Sequence, residues 1–99
     1  KLPIEQLVKR QARDTALAVG LADRGLLAPG LRADLNIIDS SGLRLQSPRV
    51  QHDLPAGGRR LMQGAHGIRV TIAGGQITYR DGVATGALPG RLLRGARPI

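Results

Sequence analysis

The 99-residue chain contains no cysteine, phenylalanine or tryptophan, and Tyr79 is its only aromatic residue. Without cysteine, neither a disulfide frame nor a thiolate metal site can form. With a single aromatic and none interleaved with the basic residues, the platforms on which single-strand nucleic-acid binders stack bases are missing, and any core must be filled by Leu, Ile, Val and Ala. Acidic residues are scarce, 7 against 15 basic, for a formal net charge of +8. Such a charge can mark a nucleic-acid partner. Here the basic residues are scattered along the chain, which is the pattern of a solvated surface or of one that meets a more acidic remainder of the same protein. No run approaches the ~20 apolar residues of a membrane span, and no charged-then-apolar leader is visible. A cytoplasmic protein is expected, with neither membrane nor nucleic acid as partner. The length permits one small domain that hides roughly 65% of its unfolded surface. The first residue is Lys1 and not Met, so the chain has the look of a cut piece. The preference for arginine over lysine hints at a GC-rich bacterial genome.

Residues 2–19 carry a helical pattern. Ile4, Leu7, Val8, Gln11 and Thr15 fall on one face, although only the first three are strongly apolar. Pro3 suits the first helical position, and Glu5 and Lys9 are spaced to pair at i, i+4. The pattern weakens at Arg13-Asp14. Asp14 is a candidate cap for a second short helix over residues 15–19, stopped by Gly20 in a left-handed conformation. Two short helices are therefore expected in preference to one.

From Leu21 the period changes. Asp23-Arg24-Gly25 and Pro29-Gly30 are turn signals, the second fitting the centre of a type II turn. Residues 33–38 alternate Ala33, Leu35 and Ile37 with Asp34 and Asn36, as a half-buried strand does. Asp39-Ser40-Ser41-Gly42 ends it, and Leu43 and Leu45 begin a short strand that Pro48 closes. Residues 49–67 read as a long loop with one short strand near residues 60–63. Ile68, Val70 and Ile72 share a face of the best-marked element, a hairpin turning at Gly74-Gly75. Ile77 and Tyr79 are expected to continue that apolar face. Asp81-Gly82 makes another turn before a last strand over residues 83–85, and the tail from Gly86 is expected to be extended or loose. The fold class is α+β. The strands are too few for a closed sandwich, so partner strands are expected from elsewhere in the protein or from a second copy.

Candidate chemistry is thin. His52-Asp53 has the composition of a His–carboxylate pair, but neighbours along a strand point to opposite faces. His66 reads as a loop residue, and no HxH, HxxxH or HxxE spacing supports a metal site. Gly57-Gly58-Arg59-Arg60 has the make-up of an anion cradle, with a sharp turn before a basic strand edge as the plainer reading. Ala73-Gly74-Gly75-Gln76 lacks the spacing of a dinucleotide loop. Ser40, Ser41 and Ser47 lack a nucleophile-elbow frame, and Asp34 and Asp39 flank a strand at a separation that keeps them from acting as an acid–base pair. No catalytic, cofactor-binding or metal-ligating residue is assigned to this chain.

The residues nonetheless resemble a family. Gly20-Leu21-Ala22-Asp23-Arg24-Gly25, Leu26-Leu27-Ala28-Pro29-Gly30, Ala33-Asp34-Leu35 and Asp39 fit the pattern G-L-x-D-R-G-x-L-x-P-G-x-x-A-D-L-x-x-x-D. This resembles the passage of metal-dependent amidohydrolases where the chain leaves the (β/α)8 barrel and re-enters a small β-sandwich. The 70–78 segment resembles the return hairpin of that sandwich. Residues 53–60, and Asp81-Gly82 through Thr85-Gly86-Ala87-Leu88-Pro89-Gly90-Arg91, resemble the D-aminoacylase group, the N-acyl-D-amino-acid deacylases.

The resemblance implies that residues 1–20 are the terminal helical part of the barrel, residues 21–94 the C-terminal part of the sandwich, and residues 95–99 a tail. It implies a hydrolase of non-peptide amide bonds in which zinc polarises the carbonyl and activates water, with every ligand and the catalytic Asp upstream of Lys1. The missing strands and barrel of the same protein are then the natural partners, and self-association or marginal stability is expected of the chain alone. Two other readings stand beside this one. The first is a stand-alone basic β-module binding nucleic acid or another polyanion through Arg59, Arg60, Arg91 and Arg94. The second is a purely structural interaction module.

Overall fold

A computed structural model describes residues 2–99. The architecture is α+β: a helical segment followed by antiparallel strands. The helical segment comprises α1 (Ile4–Lys9), a π-helical turn (Arg10–Asp14) and α2 (Thr15–Ala18), run together without a break. It is one helix and not two. Asp14 keeps helical backbone angles and caps nothing. Its carboxylate instead takes the Lys9 ammonium at 3.0 Å. The π-turn explains this choice: widening the spiral to an i→i+5 repeat sets Lys9 over Asp14 and leaves the i, i+4 partner Glu5 aside. Pro3 sits one position before the helix, its carbonyl accepting from the Gln6 and Leu7 amides. No described helix is long and apolar enough to cross a membrane.

Four strands form the main sheet in the order β1 (Leu35–Ile38), β6 (Ile68–Ala73), β7 (Gln76–Arg80) and β8 (Val83–Ala84), all antiparallel. The expected hairpin is β6–β7, with Gly74 and Gly75 both at positive φ in the turn. Leu35 pairs with Ile72, and Ile72 with Ile77, so these three share a face. Tyr79 does not join them. The register slips between Thr71 and Ile72, leaving Thr78 as an extra residue, and Tyr79 lies opposite Thr71 on the other face. On that face Thr71 donates a hydrogen bond to Asn36 Oδ1 at 2.8 Å.

Residues 49–67 are more ordered than their sequence suggests. β2 (Arg44–Leu45) pairs with β5 (Ala65–His66), and β3 (Arg49–Gln51) with β4 (Arg60–Met62). Gln46 N–H to Gly64 O at 2.9 Å links the two ribbons into one interrupted arm. Pro48, which lacks an N–H, falls in the interruption. β4 matches the strand expected near residues 60–63. The tip turns through Pro55–Gly57 and is closed by a two-pronged Arg60–Asp53 pair at 2.8 and 2.6 Å.

The end of the tail is tied down. Arg97 bridges to Leu21 in parallel register, its N–H donating to Gly20 O at 2.8 Å while its carbonyl accepts from Ala22 N–H at 2.7 Å.

No described side chain is fully buried. The accessible surface is 7850 Å², against about 5,400 Å² for a compact monomer of this mass. The radius of gyration is 15.9 Å, where a compact chain of this length has about 12.6 Å. Sheet and helix each keep an apolar side open: Ile37 is 51% exposed on β1 and Val8 54% on α1.

Candidate functional site

The joint between helix and sheet, residues 20–39, holds the densest set of specific contacts. The helix ends in a Schellman motif: Gly20, at φ +81°, donates to Leu17 O at 3.1 Å, and Leu21 donates to Ala16 O at 2.8 Å. The loop that follows folds back on the π-turn. Arg13 Nη1 donates to Ala22 O at 2.9 Å and to Arg24 O at 3.0 Å, which satisfies two loop carbonyls at once. Gly25, at φ +86°, lies so close to the helix that a Cβ there would stand 2.6 Å from Ala12 O and 3.0 Å from Arg13 Cα. Only glycine meets both conditions. Asp23 and Arg24 form a two-pronged pair at 2.9 and 3.1 Å. That hydrogen bond chiefly holds the Asp23 carboxyl below its usual range and raises the Arg24 guanidinium.

Pro29 and Gly30 make the type II turn, closed by Leu31 N–H to Ala28 O at 3.2 Å. Arg32 N–H then returns to Asp23 O at 2.7 Å. Asp34 accepts both from Arg32 Nε at 3.0 Å and from the Gly74 amide at 2.8 Å, while Ala33 O accepts from Gly75 N–H at 3.0 Å. The Ala33-Asp34-Leu35 run is therefore a clamp on the β6–β7 turn. This explains why β1 starts at Leu35 and not at Ala33. Asp39, at the far end of β1, accepts from Ser41 Oγ at 2.8 Å and faces Arg69 at 3.7 Å. Its carboxyl is held low first by the Ser41 hydroxyl and then by the Gly42 amide, with Arg69 a smaller contributor.

The other candidates are kept apart. His52 is exposed near the arm tip, and Asp53 beside it is turned to Arg60, whose guanidinium chiefly lowers the Asp53 carboxyl. His66 sits on β5 with Gln46 Nε2 at 3.4 Å. It lines an open polar cleft of about 500 Å³ with Asp39, Arg69 and Asp81. In the Gly57-Gly58-Arg59-Arg60 run, Gly58 N–H is spent on Pro55 O and Arg60 on Asp53. The run is a sharp turn in which these two donors already have partners. Asp34 and Asp39 stand at opposite ends of β1, each with its own partners.

The family model of the amidohydrolase family matches residues 1–79. The chain belongs to the amidohydrolase family. No curated protein matches it, and no solved structure does. The match takes in the whole joint, and the three aspartates of the joint motif all prove to be spent on holding the chain's path. The D-aminoacylase-like ending, Thr85 to Arg91, lies beyond the matched residues.

Amidohydrolases are hydrolases, and metal ions serve their chemistry. The donors present here do not fit a zinc ion: among the described residues no three His, Asp or Glu side chains come together. His52 and His66 lie on different stretches of the arm. Arg13, which anchors the loop, was not legible as a functional residue. The only signal was a charged residue where the helical pattern weakens, just before a glycine-bounded turn.

Proposed function

We propose that these residues are the non-catalytic C-terminal portion of a metal-dependent amidohydrolase that cleaves non-peptide amide bonds, with N-acyl-D-amino acids as substrates. Residues 1–20 then belong to the helical layer of the barrel and residues 21–94 to the small β-sandwich. The zinc, its ligands and the catalytic base come from other parts of the same protein, which also cover the sheet and the helix.

The observation that carries this reading is the family match combined with a surface of 7850 Å² and no buried side chain among the described residues. The excess over a compact monomer is roughly 2,400 Å², which is the scale of an obligate interface. An apolar groove of about 710 Å³ between Ile4, Val8, Leu26 and Leu27 is part of that open surface. The polyanion-binding alternative is weakened because Arg60, one of its proposed contacts, is already paired with Asp53.

The test is hydrolysis of N-acyl-D-amino acids by the intact protein and by the 99-residue chain alone. The intact protein is expected to release the free D-amino acid, to lose activity to a chelator and to recover it with zinc. The chain alone is expected to be inert. Hydrolysis by the chain alone would refute the non-catalytic reading. An intact protein active only on other amides would refute the substrate class.

A further inference from the structure

The returning tail gathers arginines at the joint. Arg97, fixed beside Leu21, lines a cleft of about 240 Å³ together with Asp23, Arg24, Arg32 and Arg91. Arg32 and Arg91 also line the adjoining cleft beneath the β6–β7 turn, with Gly74 and Gly90. Two of the four guanidiniums are matched, Arg24 by Asp23 at 2.9 Å and Arg32 by Asp34 at 3.0 Å. Arg91 and Arg97 form no ion pair among the described residues. Arg97 Nε is shut away from solvent with no acceptor. Asp23 feels the Arg97 charge, but its oxygens are committed to Arg24.

A buried guanidinium N–H without an acceptor calls for one. The lining holds four guanidiniums and one carboxylate, Asp23, and Asp34 neutralises Arg32 from outside it, which leaves a surplus of two charges. The cleft is smaller than the ~300–1,000 Å³ of ordinary organic-ligand pockets, and planar guanidinium forks suit tetrahedral oxyanions. We propose that this cleft binds a small divalent oxyanion of the phosphate class, which fastens the tail to the joint. The exposed Arg91 is the gate of the site and the half-buried Arg97 its floor.

The experiment is calorimetric titration of inorganic phosphate into the intact protein, with sodium chloride at matched ionic strength as the control. Saturable binding of one phosphate is expected. Arg91→Gln and Arg97→Gln should each weaken it roughly tenfold or more, and Arg44→Gln on the distant arm should leave it unchanged. If Arg97→Gln fails to fold, the exposed Arg91→Gln decides. No saturable heat above the chloride background would overturn the proposal, as would equal weakening by Arg44→Gln or indifference to Arg91→Gln.

Discussion

Replacing Gly25 with alanine isolates the close approach between loop and helix. Gly25 and Gly30 have nearly the same backbone, φ +86° and +84°. A Cβ on Gly30 meets nothing within 4 Å, whereas one on Gly25 meets the Ala12 and Arg13 backbone. Gly30→Ala therefore carries only the left-handed penalty, about 1–2 kcal/mol. Gly25→Ala carries the same penalty plus the cost of pushing the loop off the π-turn, about 1–3 kcal/mol for a contact that rigid backbone cannot absorb. The gain from stiffening the unfolded chain is common to both and drops out of the comparison. Denaturant midpoints of the intact protein, converted at constant m, should place Gly25→Ala below Gly30→Ala by that second amount. Losses equal within about 0.5 kcal/mol would refute the argument that helix and loop are locked by contact at Gly25.

Asp34→Ala should cost about 1 kcal/mol by freeing the Gly74 amide, and Asp34→Asn less, since an amide oxygen still accepts. Hydrogen exchange at Gly74 distinguishes the two variants. The depressed carboxyls of Asp23, Asp39 and Asp53 fix the sign of the acid response. Their contribution is complete above the unfolded value of about 3.9 and is lost as pH falls through the lower folded values. The thermal midpoint should thus hold level from pH 7 to about 5 and fall below about 4. Asp39→Asn should lower the midpoint at neutral pH and flatten the acid limb.

The elements that were legible are those whose signals are local. The β6–β7 hairpin, the Pro29-Gly30 turn and the Gly20 stop each rest on a residue with few backbone options, so a single sequence carries them. Features set by distant partners were not legible. Thr78 is an ordinary strand residue, and nothing in it announces the bulge that turns Tyr79 to the other face. β2 and β4 fall where short strands were expected, but β3 (Arg49–Gln51) and β5 (Ala65–His66) lie in sequence without clean alternation and become strands only by pairing with β4 and β2 across the arm. The π-turn at Arg10–Asp14 has no mark in the local spacing, which pairs Lys9 with Glu5, and it is the turn that brings Lys9 to Asp14 and Arg13 to the loop carbonyls. At the joint, Asp23 and Asp39 take chiefly local partners, Arg24 and Ser41, whereas the role of Asp34 could not be read because the Gly74 amide it accepts from arrives with the distant β6–β7 turn.

Urea unfolding of the 99-residue chain alone, repeated across protein concentrations, bears most directly on the claim that its open faces belong to a larger assembly. The expected result is a broad transition, or one whose midpoint rises with concentration as copies cover one another's apolar faces. A sharp, concentration-independent, two-state transition of a monomer would contradict it.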